Sequence, residues 1–356
     1  MKKIKFGNLQ KLIAILILAV IIVLVVGIAV SGSSEIGNNG GIVQPPKNEG
    51  ENESDAPDEK ADKPPEYINY LTGLETTEED NLLAYSFVLY SDALLYGVSR
   101  SELVFEIPCE NGQTRFVVYD TDVEGTAKIG SLAPTRKYIN SITSSFGGII
   151  TSYGNDDVFE YSANDAEYFI DVTHSQESYY KEGAKNVYTN ADLIASVRDK
   201  YQISEQISAS LPYDFADFGE KVSGITSAKS ITLEYEGNET ELVFDESLDK
   251  YLLYKRGDAK TDMLNGEYIS FSNVLVLFAD ATTYEKSNGT ETVIDMASGG
   301  KGYYATSGML TEINWKTDSE GKMTLFTLDG NRLTVNRGTS YFGFFKSSGL
   351  DNVEFK

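Results

Sequence analysis

The sequence contains one cysteine, Cys109, and one histidine, His174. A single cysteine excludes a disulfide within the chain, and with it the class of small secreted proteins that depend on several disulfides. One histidine is too few for a zinc site built from histidine ligands. A catalytic triad would need His174 beside Cys109, and the sequence does not give the distance between them. We therefore predict a buried, unreactive thiol, a surface histidine, no cofactor and no metal site.

Basic residues are scarce as well. The chain has 30 lysines and arginines against 54 aspartates and glutamates, and its formal net charge is −24. Such a negative field repels phosphate backbones and anionic lipid surfaces. The composition thus argues against nucleic acid as a partner.

The longest apolar run lies near the amino terminus and covers residues 12–30, without a single charge. A helix of this length reaches about 29 Å, which is the thickness of a bilayer's hydrocarbon core. Every charged side chain before it is a lysine: Lys2, Lys3, Lys5 and Lys11. By the positive-inside rule, we predict a cytoplasmic tail over 1–11, a transmembrane anchor over 12–30 and an extracytoplasmic remainder. A cleaved signal peptide is the alternative, because small residues follow the run.

Residues 31–66 contain five prolines, many acidic residues and almost no large apolar side chains. A segment of this composition cannot bury enough apolar surface to offset the entropy of ordering. We predict a disordered acidic linker that holds the folded part away from the membrane.

The remainder predicts an α+β protein in two parts. Over 67–224, strand patterns at 84–90, 102–107 and 115–119 alternate with a helix from Pro134 and a helix capped by Asn190, which indicates an α/β domain. Over 225–356, short strands separated by turn signals indicate a β-rich domain. The aromatic residues of this half, Trp315 among them, are expected to fill its core.

Several segments resemble the YerB-like family of bacterial envelope proteins, which are often lipoproteins and contain a domain of unknown function. The order and spacing of these segments carry the resemblance, and no single motif does. They are Leu71-Thr-Gly-Leu, Glu102-Leu-Val-Phe-Glu, Lys128-Ile-Gly-Ser-Leu-Ala-Pro-Thr-Arg-Lys-Tyr, Tyr254-Lys-Arg-Gly-Asp, Ile313-Asn-Trp-Lys and Arg337-Gly-Thr-Ser. The resemblance implies a membrane-associated protein with the family's N-terminal domain over 67–224 and its C-terminal domain over 225–356.

The chain departs from the family pattern at three places. Ala133 stands where the family has the first arginine of a run, and only Arg136 matches the second. Asn186 is kept where the family has proline, histidine and asparagine, but the histidine is lost. The lipidation cysteine is missing from residues 31–34. A site that relatives build from these residues would be altered here.

The first candidate site is an anion pocket at the start of the helix near Pro134, where free backbone N–H groups and the helix dipole favour negative charge. Its predicted residues are Arg115, Arg136, Asn186 and Glu106. In the competing interpretation, the two arginines are paired with structural carboxylates such as Glu106. In the second half, the family-like segments suggest Arg256, Asp262 and Asn273 as ligand-binding residues.

Two further kinds of chemistry are weaker predictions. For glycoside hydrolysis by paired carboxylates, the candidates are Glu106, Asp120 and Asp262, because each lies in a segment that resembles the family. Residues 120–125 imitate the start of an EF-hand loop, but the twelfth position is Ser131 instead of glutamate, so a hairpin turn is expected.

We predict a membrane-anchored extracytoplasmic protein that binds a cell-envelope polymer or an envelope protein and has no catalytic residue. A carboxylate-dependent cell-wall hydrolase and a degenerate, non-catalytic scaffold are the alternatives.

Overall fold

Strands dominate the computed structural model, which describes residues 65–77, 84–154, 169–171, 179–182, 186–202, 209–286 and 289–356. These residues belong to one compact unit, Asp62–Lys356. The predicted tail, the anchor over 12–30, nearly all of the linker and His174 lie outside the described residues. Within the described ranges, no helix is both long enough and apolar enough to cross a bilayer.

The first half contributes both helices of the described structure and nine strands. The helices are α1 (Lys137–Thr143) and α2 (Ala191–Tyr201). The strands are β1 (Tyr85–Tyr90), β2 (Leu103–Pro108), β3 (Thr114–Asp120), β4 (Ile129–Gly130), β5 (Ile149–Ser152), β6 (Phe169–Asp171), β7 (Tyr180–Glu182), β8 (Asn186–Thr189) and β9 (Asp214–Phe215).

The second half contains only strands and short 3₁₀ turns in the ranges described. The strands are β10 (Thr226–Ser227), β11 (Ser230–Tyr235), β12 (Asn238–Asp245), β13 (Lys250–Lys255), β14 (Asp258–Ala259), β15 (Ser270–Phe271), β16 (Asn273–Ala279), β17 (Ala281–Lys286), β18 (Gly289–Ile294), β19 (Gly300–Thr306), β20 (Met309–Thr317), β21 (Met323–Thr327), β22 (Thr334–Val335), β23 (Ser340–Lys346) and β24 (Val353–Phe355).

A mixed sheet of eleven strands forms the centre of the molecule. Its order is β10-β20-β19-β16-β23-β2-β3-β1-β5-β6, with β21 attached to β20. The junction between the halves is β23, which pairs in parallel with β16 on one side and with β2 on the other. This sheet therefore crosses the boundary predicted near residue 224.

A second sheet, drawn wholly from the second half, has the order β14-β13-β12-β11-β24, with β15 on β13. Its strands alternate buried and half-buried residues, as in Ser230–Tyr235, because one face is covered and the other is wetter. The buried face shares a hydrophobic cluster with Val104 of β2 and Tyr341 of β23, so the second sheet lies against the central one.

Strand β2 is buried on both faces, because Leu103, Phe105 and Ile107 join a second hydrophobic cluster on the opposite side. Side chains alternate along a strand, so Glu106 points to the same face as Val104, toward the second sheet. A carboxylate is thus placed inside the core, where it needs hydrogen-bond donors.

The predicted strands at 84–90, 102–107 and 115–119 are confirmed as β1, β2 and β3. The second predicted helix is also confirmed, because the Asn190 side chain caps α2 by accepting from the backbone N–H of Leu193 at 2.9 Å. The start of the first helix is wrong by three residues. Its first helical residue is Lys137, so Pro134 and Arg136 precede it.

Trp315 is buried as predicted and donates through Nε1 to the Phe278 carbonyl at 2.9 Å. The strands β17 and β18, which pair with each other over Ala281–Lys286 and Gly289–Ile294, were not predicted. The sequence indicated only a turn at Lys286-Ser-Asn-Gly.

Candidate functional site

The Glu106 carboxylate accepts four hydrogen bonds inside the core. Thr114 Oγ1 and Lys255 Nζ donate to Oε1 at 2.6 and 2.5 Å. Thr240 Oγ1 and Tyr341 OH donate to Oε2 at 2.9 and 2.6 Å. These donors come from both sheets, so the carboxylate is fully hydrogen-bonded and joins them.

Lys255 reaches Glu106 from β13 in the second sheet. Its side chain is 4% exposed and that of Glu106 is 0% exposed. The ammonium also lies 5.7 Å from the ring centre of Phe116 and 5.8 Å from that of Tyr235. Burial and the nearby Glu106 charge raise the pKa of the Tyr341 hydroxyl well above its usual value, so Tyr341 remains a donor. The pair is a sealed structural contact, and no substrate can approach Glu106 in this arrangement.

Arg115 and Arg136 converge on one carboxylate, which is Glu110 in the turn between β2 and β3. Arg136 Nη2 lies 2.5 Å from Glu110 Oε1, and Arg115 Nη2 lies 3.2 Å from the same oxygen. The Arg115 guanidinium also lies over the Tyr90 ring, 4.7 Å from its centre. The two arginines are thus in buried ion pairs, as the competing interpretation expected, but with Glu110 in place of Glu106.

Arg136 immediately precedes α1, and its carbonyl accepts from the Asn140 backbone N–H at 3.2 Å. Its Nη1 donates to the Thr135 carbonyl at 2.6 Å. Asn186 is exposed at the start of β8, opposite Glu182 in the hairpin of β7 and β8. The structure brings the two predicted arginines together on Glu110 and places Asn186 in a separate hairpin.

Asp262 is a buried acceptor that ties two loops together. Its carboxylate accepts from the backbone N–H groups of Gly97, Val98 and Ser99 at 2.7–3.1 Å and from that of Leu264 at 2.9 Å. Burial alone would raise the pKa of this carboxyl, but the four backbone hydrogen bonds outweigh it and lower the pKa. The geometry assigns Asp262 a positioning role within the fold.

The other two residues predicted in the second half differ in their exposure to solvent. Arg256 is exposed in the turn after β13, with Asp92 at 3.9 Å. Asn273 is fully buried: its Nδ2 donates to the Asn336 carbonyl at 2.8 Å, and its Oδ1 accepts from Tyr304 OH at 2.9 Å. Burial raises the pKa of Tyr304 to about 12, which keeps the hydroxyl a donor. Asn273 thus holds a buried polar network and is not open to a ligand.

Asp120 forms a buried carboxylate pair with Glu102, which was not predicted as a site residue. Burial and the charge of Glu102 raise the pKa of Asp120 well above its usual value, and burial raises the pKa of Glu102 as well. Glu102 accepts from Asn69 Nδ2 at 3.1 Å and from Thr121 Oγ1 at 2.6 Å. The sequence indicates this pair only weakly: Glu102 precedes β2 and Asp120 ends β3, and these two strands pair with each other.

The segment that resembles an EF-hand uses its carboxylates on its own backbone. Asp120 accepts from the Asp122 N–H, and Asp122 accepts from the Glu124 N–H, both at 3.0 Å. Among the residues placed by the structure, no group of three or more Asp, Glu, His or Cys side chains could hold a metal ion.

A cleft of about 180 Å³ lies on the surface of the part of the chain that the structure describes, and we call it the β2–β3 cleft. Its lining comes from residues within 108–112, 234–236 and 344–352, together with Thr292. Cys109 is one of these residues, and burial raises the pKa of its thiol, so it is a neutral wall group as predicted. The cleft was not predicted, because its walls come from four segments that lie far apart in the sequence.

Lys346 is the basic residue of the cleft. Its ammonium lies 3.0 Å from Glu236 Oε1 and 3.3 Å from Thr283 Oγ1. The Glu236 side chain is 61% exposed and that of Lys346 is 27% exposed. The lining residues Tyr235 and Phe345 are nearly buried, and their rings stack with centres 4.3 Å apart. The cleft therefore combines an accessible ion pair with an aromatic wall.

Comparison with known proteins gives two domain matches. Residues 91–204 match the family described as "Protein of unknown function (DUF3048) N-terminal domain", and residues 231–342 match its C-terminal domain. The two matches lie on either side of the boundary predicted near residue 224.

A curated relative and a solved structure agree with these matches. "Putative lipoprotein YerB" of Bacillus subtilis (strain 168) is 23% identical over 233 residues, which are 62% of this chain and 68% of the relative. The crystal structure of the YerB protein from Bacillus subtilis aligns with a TM-score of 0.69 at 18% identity. That alignment covers 82% of this chain and 99% of the other. The structural likeness extends through both halves of the described fold.

Proposed function

The chain belongs to the YerB-like family of DUF3048 proteins, and from this premise we propose that it is a membrane-tethered, extracytoplasmic protein that binds a cell-envelope component without catalysis. The binding surface is the β2–β3 cleft. The partner is an envelope polymer or an envelope protein.

The tether rests on the apolar run over 12–30 and the lysines before it. The name of the Bacillus relative, "Putative lipoprotein YerB", supports a membrane-associated position. Because residues 31–34 contain no cysteine for lipid attachment, the proposed anchor here is the helix itself.

The observation that carries the binding proposal is a contrast between the cleft and the predicted site residues. Glu106, Asp262 and the arginines that meet at Glu110 have internal partners and are buried. The cleft, in contrast, presents a charged pair to solvent beside aromatic side chains. Pockets that combine a few polar groups with an apolar wall are the usual sites of ligand binding.

The same contacts argue against the hydrolase. Glycoside hydrolysis needs two carboxylates about 5–10 Å apart on an accessible groove. Glu106 is sealed by four donors, and Asp262 accepts four backbone N–H groups. Zymography with purified sacculi tests this point, and we expect no clearing. Robust clearing would contradict the non-catalytic proposal.

Two experiments on the full-length protein test position and binding. Protease treatment of intact spheroplasts should digest the region after residue 30 and leave a short protected fragment, whereas a fully protected chain would contradict the tether. Full-length protein in detergent micelles should be retained by purified sacculi or by envelope proteins coupled to resin. Retention by neither would contradict the binding proposal.

A further inference from the structure

We propose that the β2–β3 cleft binds a small zwitterion, namely a free amino acid or a short peptide with both ends uncapped. This inference goes beyond the proposed function, because it gives the cleft a small ligand in addition to an envelope polymer or protein. The ligand's carboxylate would contact Lys346, and its ammonium group would contact Glu234 and Glu236.

The cleft is built by close packing of the β2–β3 turn against the β11–β12 turn. A Cβ atom at Gly112 would lie 2.8 Å from the Glu236 carbonyl oxygen, so this wall requires glycine. Glu236 itself has φ 45° and Gly237 has φ 94°, both in the left-handed region, as a tight two-residue hairpin turn requires. Asn111 Oδ1 accepts from the Thr290 N–H at 3.0 Å and ties the β2–β3 turn to β18. The cleft is therefore defined by local backbone geometry at several points.

The charges of the cleft match a zwitterion. Among its lining residues, Lys346 is the cation, and Glu234 and Glu236 are the anions. The Glu234 Oε1 atom accepts from the Gly237 N–H at 3.1 Å, which holds this carboxylate at the turn. A ligand with a single negative charge would leave two carboxylates beside it, and a ligand with a single positive charge would leave Lys346 unused.

The ion pair between Lys346 and Glu236 can open at little cost. Exposed pairs contribute roughly 0–1 kcal/mol, because water screens them. A bound zwitterion would replace this one pair by two charge-assisted contacts of the same kind, which are the stronger class of hydrogen bond.

The size and the walls limit the ligand further. The volume of about 180 Å³ is below the roughly 300–1,000 Å³ that accommodates drug-sized ligands. The stacked rings of Tyr235 and Phe345, with Pro108 and Cys109, supply an apolar surface for a small side chain. An amino acid or dipeptide with small aliphatic side chains fits these limits.

The test is calorimetric titration of the dipeptide Ala-Ala into the full-length protein in micelles. We expect saturable binding, and at least tenfold weaker binding for both N-acetyl-Ala-Ala and Ala-Ala-amide, because each lacks one of the two charges. Titration with free alanine distinguishes an amino acid from a peptide as the ligand. No binding of alanine or Ala-Ala at 10 mM would overturn the inference, as would equal binding of the capped analogues.

Variants locate the site. Lys346→Gln and Glu234→Gln should each weaken Ala-Ala binding about tenfold, and Ser348→Trp, at an exposed lining position, should block it. Lys322→Gln is the matched control, because Lys322 is an exposed lysine in the turn between β20 and β21, is paired with Glu320 and does not line the cleft. Equal affinity for all four variants would overturn the assignment to this cleft.

Failure of the zwitterion inference can be distinguished from failure of the proposed envelope binding. If sacculi or envelope proteins retain the full-length protein and Ala-Ala neither binds nor competes, the zwitterion inference fails and the binding function stands. If Ala-Ala binds in the cleft and nothing from the envelope is retained, the inference stands and the proposed function fails.

Discussion

Two lysine–glutamate pairs of similar length have opposite surroundings in this protein. Lys255 and Glu106 lie 2.5 Å apart with side-chain exposures of 4% and 0%, whereas Lys346 and Glu236 lie 3.0 Å apart with exposures of 27% and 61%. The first pair is enclosed by two sheets and three further donors. The second stands beside a cleft. The same two residue types thus serve as an internal connection in one place and as accessible charges in the other.

The difference follows from solvation. A buried charge loses its hydration, so it is tolerated only where protein groups replace the lost water, as the four donors to Glu106 do. An exposed charge keeps its hydration and can change partners freely. The comparison predicts that substitutions at the first pair affect folding, and that substitutions at the second affect binding.

The largest effect is expected from Lys255→Met. This variant leaves the Glu106 carboxylate buried without its cation, and we expect a loss of about 3–5 kcal/mol in the free energy of unfolding. Urea denaturation followed by circular dichroism measures the loss. The double variant Glu106→Gln with Lys255→Met removes both charges and should recover most of it. No recovery would mean that the buried charge is not the cause.

Asp262→Asn should cost about 2 kcal/mol at pH 7, because the amide keeps only one acceptor oxygen. The carboxylate uses Oδ1 for Gly97 and Leu264 and Oδ2 for Val98 and Ser99, so an NH₂ group at either position leaves two backbone N–H groups without an acceptor. The pKa of Asp262 is lowered in the folded state, so its contribution is present above the unfolded pKa near 4 and is lost as the pH falls through the lower folded value. The gap between variant and wild type should therefore narrow in acid. A gap that stays constant from pH 7 to pH 3 would contradict this assignment.

Asp120→Asn should change the free energy of unfolding in the opposite direction. The folded pKa of Asp120 is raised, so the wild type loses stability as the pH rises through that value, and the variant does not. We expect the variant to be about 1 kcal/mol more stable at pH 7 and equal to the wild type below pH 4. Thermal unfolding across this pH range measures the difference. A destabilised variant at pH 7 would show that the charged carboxylate is required.

The smallest effect on stability is expected from Lys346→Gln, which should change the free energy of unfolding by less than about 0.5 kcal/mol. Denaturation beside Lys255→Met gives the direct contrast between the two lysines. Similar losses of stability for both variants would contradict the difference between the buried and the accessible pair.

The sequence predicted what local chemistry determines. The run Leu103–Pro108 is a strand because apolar and branched residues fill it, and Asn190 caps α2 because its side chain reaches an N–H group three residues ahead. The turn at Glu236 and Gly237 was also visible as a hairpin signal.

Long-range pairing could not be predicted in this way. Glu106 and Lys255 are 149 residues apart, and nothing local to either one names the other. The partner of the two arginines was expected among structural carboxylates such as Glu106, but four residues further along the chain Glu110 takes that role. Glu106 lies inside β2 and faces the second sheet, whereas Glu110 lies in the turn after β2. The packing of the two sheets decides between them, and a short window of sequence does not show it. The β2–β3 cleft was missed for the same reason.

Capture of envelope material by the full-length protein, with Ser348→Trp and Leu328→Trp side by side, is the most direct test of binding through the cleft. Both positions are exposed, and only Ser348 lines the cleft. We predict at least a tenfold loss of capture for Ser348→Trp and unchanged capture for Leu328→Trp, with equal melting temperatures. Equal capture by the two variants would contradict the account.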